Sequence, residues 1–272
     1  MKPISTAILL LFMLLHAPAL LSAEPNATRP QQLPPSTHPA LDFTLLNGAP
    51  FEHWYSFFID GKKVGFEHNR LSMSEGLLTL NSEVSFDFGE KGIQHYIAHV
   101  VARAAVWPEI VSVRFEAQDS LIADEAPAEK YGKKVWAVVA SFDDAGKKKT
   151  ERQSFPLPAD LMHDYLAHHI ALFMPREKGA CLHYTCLAAG ENMGPAAIHC
   201  TGSESIEING VKTAVTAYDK YMSGQKATTR WIDARGVIVR NDYGGNTTIS
   251  VLSTRDEALK DLSPKIKPPR KF

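Results

Sequence analysis

Short apolar–polar alternations separated by turns are the feature that most restricts how this chain can fold. In the segment WYSFFIDGKKVGFEHNR, residues 54–70, the apolar side chains of Tyr55, Phe57 and Ile59 recur at every second position. The DGKK turn at residues 60–63 then reverses the chain, and the alternation resumes after it. Because a period of two is that of a β-strand, the segment predicts a hairpin.

The same unit of strand, turn and strand recurs to about residue 253. Each further turn contains glycine, as in Glu75-Gly76, Asn209-Gly210, Ser223-Gly224 and Gly244-Gly245. Consecutive strands joined by tight turns pair in antiparallel fashion. The sequence therefore predicts a mainly β fold, a curved antiparallel meander that forms a half-barrel. Residues 122–130, which are rich in Ala and Glu, are predicted to be a loop.

Two helices are predicted beside this meander. Residues 156–174 lose the β alternation and stop before Pro175, which favours one helix against the sheet. Asp164 and His168 lie four positions apart there, and we expect them to contact each other on a solvated helix face, with metal ligation as the alternative. Thr254 and Glu257 have the spacing of a capping box, so a short C-terminal helix is predicted to begin at that point.

The first 23 residues have the organisation of a secretory signal peptide. Lys2 precedes the apolar run of residues 7–15, and Ala23 is a small residue suited to cleavage. No later stretch is long and apolar enough to span a bilayer. We therefore expect an exported, periplasmic protein with no transmembrane segment in its mature chain.

Three parts are predicted to follow the signal peptide: a proline-rich linker at residues 24–50, a single β-rich domain at residues 51–262 and a basic, solvated tail at residues 263–272. The net charge of −1 gives no reason to expect nucleic acid as a partner. The chain has neither a nucleophile-elbow motif nor a phosphate-binding glycine loop. No cofactor and no catalytic residue are predicted, and a non-enzymatic role is favoured.

Cys181, Cys186 and Cys200 lie close together in the chain. In an oxidising compartment we expect one disulfide and one remaining thiol. A Cys186–Cys200 bridge is favoured because the intervening residues can loop two neighbouring strands together. The alternatives are another pairing, three thiols, or a zinc site that also uses His183 and His199.

Aromatic side chains are spread over the whole predicted meander. Most are expected in the core, but a curved sheet covered by a single helix also predicts an apolar cleft. The candidate residues lining that cleft are Trp54, Phe57, Phe66, Phe86, Trp136 and Trp231.

The chain contains, in this order, YSFFIDGKKVGFEHNRLS, LAHHIALFMP, SIEINGVKTAVTAY, WIDARGVIVRNDYGG and LSTRDEA. In these segments it resembles a set of bacterial exported proteins of unknown function, with an open antiparallel β-barrel similar to that of periplasmic lipoprotein carriers. The resemblance covers about residues 53–260 and implies a single antiparallel sheet wrapped around helices. It implies no catalytic residues, and the cysteines and the proline-rich segment lie outside it.

Three hypotheses about function result. The favoured one is a periplasmic, non-enzymatic protein that binds an apolar small molecule such as a lipid. The second is an envelope scaffold or accessory module that binds another protein through a sheet edge. The third is a metal enzyme or hydrolase built on the Cys/His hairpin.

Overall fold

The structure is a computed structural model that describes Thr37 and residues 39–46, 50–118, 121–144, 147–188, 192–244 and 247–272. The predicted signal peptide lies outside these residues. The described residues form one 15-stranded sheet. The mainly β prediction is confirmed.

The first eight strands are β1 (Phe51–Ile59), β2 (Lys62–Ser74), β3 (Leu77–Asp87), β4 (Ile93–Arg103), β5 (Glu109–Ala117), β6 (Leu121–Lys130), β7 (Lys133–Asp144) and β8 (Lys147–Pro156). The others are β9 (Leu161–His163), β10 (Cys181–Ala188), β11 (Asn192–Ile208), β12 (Val211–Met222), β13 (Gln225–Asp233), β14 (Ile238–Asp242) and β15 (Thr248–Ser253). The α-helices of the described residues are α1 (Asp164–Ile170) and α2 (Arg255–Leu259), and 3-10 turns lie at Phe43–Leu46, Gly89–Lys91 and Ala171–Phe173.

The order of strands in the sheet is β8-β7-β6-β5-β4-β3-β2-β1-β15-β14-β13-β12-β11-β10-β9. The first and the last strands of the chain therefore meet in the middle of the sheet, and its edges are β8 and β9. Pairing is antiparallel except between β9 and β10, which run parallel. The sheet curls until β9 and α1 lie on its concave side near β5, where the Trp107 indole N–H donates to the Leu161 carbonyl oxygen at 3.4 Å.

The predicted hairpin turns are confirmed by their backbone angles. Asp60 and Gly61 have φ values of 49° and 75°, and Asn209 and Gly210 have φ values of 50° and 78°. Two successive residues with positive φ are what a type I′ turn requires, and its twist matches that of the flanking strands. These local sequences therefore set the hairpins.

The predicted loop at residues 122–130 is wrong, because this segment forms most of β6. Tyr131 and Gly132, with φ values of 52° and 70°, make a hairpin turn to β7 that the sequence analysis missed. Glu125, which suggested a solvated loop, is instead buried, and its carboxylate accepts the Trp136 indole N–H at 3.0 Å. A buried hydrogen-bond partner thus makes an acidic strand residue acceptable.

Both predicted helices are present, but the first is shorter than predicted. Residues Leu161–His163 pair with β10, and α1 begins only at Asp164. The His163 ring nitrogen Nδ1 caps the helix by accepting the Tyr165 N–H at 3.4 Å. At α2 the predicted capping box of Thr254 and Glu257 is confirmed.

Two apolar clusters fill the concave side of the sheet. Residues that face each other across paired strands share one side of the sheet, and this places Leu71, Leu80 and Val100 together in the larger cluster. In the smaller cluster the rings of Phe57 and Phe86 stack with centroids 4.9 Å apart. Both clusters contain fully buried side chains.

Residues 39–46, which are part of the predicted proline-rich linker, pack on the sheet and on the end of the α1 region. The Asp42 N–H donates to the Phe173 carbonyl oxygen at 2.9 Å, and the Phe43 ring lies 4.7 Å from the ring of Phe173. Leu46 is 3% exposed and belongs to the larger core cluster. The segment therefore closes one end of the core.

We predict that Gly65→Ala destabilises the opening hairpin. A Cβ atom at Gly65 would overlap the Ser85 carbonyl oxygen and the Phe86 side chain on β3. Crowding of this kind in a packed sheet costs about 1–3 kcal/mol. Urea denaturation should show that loss of unfolding free energy, whereas the control Gly194→Ala, whose Cβ would meet only Ser223 Oγ at 3.5 Å, should change it by about 0.5 kcal/mol or less. Equal stabilities of the two variants would contradict the prediction.

Candidate functional site

The six aromatic residues predicted to line one cleft do not share one surface. Phe57, Phe86 and Trp136 are packed into the concave core. Trp54 on β1 and Phe66 on β2 point to the opposite side of the sheet from Phe57. They therefore lie on the convex side, where α2 packs. Trp231 lies in the other half of the sheet, beside an outer cleft. The structure therefore divides these residues among three environments.

Side chains of the described residues pack the concave interior between the sheet and α1. Trp136 and Phe115 are 0% exposed. A cavity bordered by His53, Asn69 and His169 has a volume of about 10 Å³. Since that is the space of about one water molecule, the cavity is far too small for an acyl chain.

Charged and polar side chains form a buried cluster at the middle of this interior, which we call the interior polar cluster. The Asp164 carboxylate at the start of α1 binds the Lys220 ammonium from β12. Its Oδ1 also accepts the Cys186 thiol at 3.4 Å, and its Oδ2 lies 3.3 Å from His168 Nε2. The Arg230 guanidinium of β13 contacts the other ring nitrogen of His168.

A second carboxylate on the concave side extends this network towards β2. The Glu67 side chain accepts the Asn69 amide at 2.6 Å and the Tyr243 hydroxyl at 3.0 Å. Asp164 and Glu67, together with the nearby buried Glu125, thus supply the negative charge that offsets Lys220 and Arg230. Such a balance is needed because an unpaired charge in a dry interior is very costly.

Burial and pairing shift the titration of this cluster. Burial alone would lower the pKa of Lys220, but the Asp164 carboxylate outweighs that effect and raises the pKa above its usual value. Burial, reinforced by Asp164, raises the pKa of the Cys186 thiol well above its usual value. Lys220 therefore stays charged and Cys186 stays a thiol at neutral pH.

The predicted contact between Asp164 and His168 is present, but the predicted solvated face is wrong. Asp164 is 6% exposed because α1 is enclosed by the curled sheet. Its negative charge at the start of the helix is favourable for the helix dipole. His168 alone among the residues of this cluster is partly exposed, and the contacts of Asp164 and His168 with Lys220 and Arg230 hold α1 to β12 and β13.

The structure corrects the predicted Cys186–Cys200 disulfide. Both residues are thiols, and Cys186 lies opposite Gly194, six positions before Cys200 on β11. At about 3.4 Å per residue this separates the two cysteines by about 20 Å, well beyond the reach of a disulfide. Cys181 faces His199, the neighbour of Cys200, so Cys181 and Cys200 lie on opposite faces of the sheet.

The Cys/His hairpin forms no metal centre in the part of the chain that the structure describes. No group of three or more His, Cys, Asp or Glu side chains is placed there to hold a metal ion. The strand alternation explains this arrangement, since it points Cys181 and Cys186 to opposite faces.

An outer cleft of about 580 Å³ lies across β11 to β14 on the other side of the sheet from the core. Its size is in the range of small-molecule sites. The side chains and backbone that line it are those of Thr201, Glu204, Ala217, Asp219, Lys226, Ala227, Thr228, Thr229, Trp231, Asp242 and Gly244. Three carboxylates thus face a single lysine.

Cross-strand contacts fix the side chains of this cleft. The Trp231 indole N–H donates to Glu204 Oε1 at 2.5 Å, and the Arg240 guanidinium lies 5.3 Å from the indole ring centre. Asp219 accepts the Thr229 hydroxyl at 2.7 Å and pairs with the Lys226 ammonium at 2.9 Å. These partners hold Trp231 and Asp219 in place before any ligand arrives, which lowers the ordering cost of binding.

Sequence reasoning found only Trp231 among the residues of this cleft. Asp219 and Asp242 come together because Thr229 on β13 pairs with Asp219 on β12 at one side and with Asp242 on β14 at the other. The signal available in the sequence was the set of turns at Ser223-Gly224 and Ala234-Arg235-Gly236, which fix the three-strand register. A bulge at Lys220/Tyr221 moves that register and is not evident from composition.

No family model matches the chain, and no curated protein matches it. Among solved structures it is similar to a β-barrel-like protein of a domain of unknown function, DUF1849, from Brucella abortus. The match covers 79% of this chain and 98% of that chain, with 10% identity and a TM-score of 0.47.

The described helices are too short and too polar for any of them to cross a membrane.

We predict that Lys220→Met strongly destabilises the protein. The substitution leaves the Asp164 carboxylate buried without its cation, and breaking a buried pair in this way costs about 3–5 kcal/mol. The double variant Asp164→Asn/Lys220→Met removes both charges and should recover part of that loss in urea denaturation. The control Lys212→Met, at an exposed position of the same strand, should remain close to the unsubstituted protein. A double variant less stable than Lys220→Met would count against a charge-pairing role.

We also predict three titratable thiols per chain. Cys181, Cys186 and Cys200 are all 0% exposed, so a thiol reagent should react slowly with the native protein. Denaturation without a reductant should then release three thiols, because the strand register keeps the cysteines apart. A count of one thiol would instead support a disulfide.

Proposed function

We propose that this chain is an exported, non-enzymatic binding protein and that it binds a small organic cation in the outer cleft of β11 to β14. The observation that carries the proposal is a cleft of about 580 Å³ lined by Trp231 and three carboxylates. Export is supported by the features of residues 1–23, and the periplasm is the compartment that fits them best.

The charge of the cleft defines the ligand class. The carboxylates of Glu204, Asp219 and Asp242 outnumber the two cations beside them, Lys226 and Arg240, so the cleft carries excess negative charge. An amine or guanidinium group would be attracted by these carboxylates, and the Trp231 ring already holds one cation over its face, the Arg240 guanidinium. The hydroxyl groups of Thr201 and Thr229 add polar partners for the rest of the ligand.

An apolar ligand is less well supported. The concave side, where a lipid was predicted to bind, is filled by two apolar clusters and the interior polar cluster. Lipid binding there would require the core to open. The polar outer cleft is already formed, and sites for small ligands are usually formed before the ligand binds.

The edges of the sheet give little support to a scaffold that works by strand addition. β8 begins with exposed lysines at 147–149, and positive charge on an edge strand opposes pairing with another strand. β9, at the other edge, has only three residues. Neither edge offers a long, uncharged row of backbone groups.

A hydrolase or metal enzyme on the Cys/His hairpin has no supporting geometry. Burial raises the pKa of both the Cys181 and the Cys200 thiols, whereas a cysteine nucleophile needs a lowered pKa and access to substrate. Cys186 hydrogen-bonds to Asp164 inside the core. The thiols therefore act as small, buried side chains.

We predict that cationic probes bind the cleft and that its carboxylates are required. Titration calorimetry with spermidine should detect binding, and Asp219→Asn/Asp242→Asn should weaken it at least tenfold, equivalent to about 1.4 kcal/mol. Both substitutions keep the shape of the side chain, and thermal melting checks that the fold is retained.

The matched control is Glu129→Gln, which removes an exposed charge outside the cleft and should leave spermidine affinity unchanged. Palmitate serves as the apolar probe. Binding of palmitate without spermidine, or equal loss of spermidine affinity in the control and the cleft variant, would overturn the proposal.

A further inference from the structure

The C-terminal tail lies on the convex face of the sheet instead of extending into solvent, as the sequence had suggested. After a turn in which the Ile266 N–H donates to the Ser263 carbonyl oxygen at 3.0 Å, the chain lies over β3 at Arg270, whose side chain reaches β5, and over β2 at Phe272. Residues 267–272, KPPRKF, have no helix or strand pairing of their own. Specific contacts with side chains therefore hold the tail in place.

The first contact is to a carboxylate that is buried on the outside of the sheet. Glu83 on β3 is 0% exposed, and its Oε2 accepts the main-chain N–H of Arg270 at 2.8 Å. Its Oε1 lies 2.9 Å from His95 Nε2 on β4. A backbone N–H held by a carboxylate is a strong hydrogen bond, and it can be supplied by any extended peptide except at proline.

The second contact is an ion pair with a basic side chain of the tail. The Arg270 guanidinium pairs with Glu116 Oε2 on β5 at 2.8 Å. Glu116 is kept in position by Arg114 at 3.1 Å. Because the Arg270 side chain is still 48% exposed, this pair lies at the rim of the groove.

The third contact reads an aromatic ring. The Phe272 ring stacks on His68, with centroids 5.1 Å apart and an interplanar angle of 21°. His68 in turn stacks on Trp54, with centroids 3.8 Å apart and an angle of 9°. The Arg70 guanidinium fixes the same tail residue by donating to its main-chain oxygen at 2.7 Å.

Together these contacts define a convex groove formed by Trp54, His68, Arg70, Glu83, His95 and Glu116. We propose that the convex groove is a docking surface for an extended peptide of a partner protein that carries arginine two positions before an aromatic residue. The chain's own tail occupies the groove in the same way and must be displaced when the partner binds. The groove thus has a defined chemistry: a buried acceptor for a backbone N–H, an acid for arginine and a stacking platform.

The tail is suited to exchange because much of it is exposed and none of it is paired as a strand. Lys267, Pro268 and Lys271 are exposed, and residues 267–272 add no strand to the sheet. Segments with few buried contacts open at low free-energy cost. The groove beneath is by contrast rigid, since its residues lie on β1 to β5.

The test uses the full chain and a labelled peptide with the sequence of residues 263–272. Arg270→Ala/Phe272→Ala should free the groove, and fluorescence anisotropy should then show the peptide binding at least tenfold more tightly than to the unsubstituted chain, whose tethered tail competes at high effective concentration. Lys271→Ala is the matched control and should behave as the unsubstituted chain does. A shift in the emission of Trp54 should accompany release of the tail.

Changes in the peptide separate recognition from folding. A peptide with alanine in place of the arginine and the phenylalanine should bind the double variant at least tenfold more weakly than the original peptide. Equal binding of the two peptides would overturn the proposal, as would a double variant that binds the original peptide no better than the unsubstituted chain does. Light scattering could instead show that the unsubstituted chain forms dimers by exchanging tails. That result would overturn the proposal of a partner protein, because the peptide in the groove would come from a second copy of this chain.

Discussion

The pairing of β1 with β15 holds the two halves of the sheet together. Along the rest of the sheet the neighbouring strands are consecutive in the chain, whereas β1 and β15 are joined from opposite ends of the domain. At their seam the Ser253 hydroxyl donates to the Ser56 hydroxyl at 2.9 Å, and the register brings Tyr55 opposite Leu252. Because α2 follows β15 directly and packs on β1 and β2, the same strand pairing also positions α2 on the convex side of the sheet.

The buried charges determine how the curled sheet closes around α1. Lys220 on β12 and Arg230 on β13 both contact residues of α1, so the helix is bound to the second half of the sheet by charge-assisted contacts. Its other side meets the first half, where the Tyr165 ring lies 5.8 Å from that of Phe115. Apolar packing alone would allow α1 to slide, whereas a buried pair must be made in full. The interior polar cluster therefore favours one position of the helix.

Local features of the fold could be predicted from the sequence because they depend on adjacent residues. The turn at Asn209-Gly210 and the cap at Thr254 need only a few neighbouring side chains to be specified. The partner of Cys186 could not be predicted, since it depends on where β10 and β11 come into register. The sequence also did not show on which face of the sheet each aromatic residue would lie. Phe57 and Phe66 both fit the strand period, but only the curl of the whole sheet makes one side of it concave.

The same curl explains why the two proposed binding surfaces lie on the convex side of the sheet. On the concave side the described side chains are packed together, and the buried carboxylates of Asp164, Glu67 and Glu125 lie with the cations of Lys220 and Arg230. Both proposed binding surfaces lie on the convex side and present carboxylates, in the cleft beside Trp231 and in the groove around Glu83, where Arg70 and Arg114 lie close by. Carboxylates placed there are partly neutralised by the chain's own Lys226 and Arg270, which an incoming cation can replace. Because the large apolar clusters are buried on the concave side, the convex side is left mainly polar. We therefore expect charged groups to make the main contacts with a ligand or peptide on the two proposed surfaces.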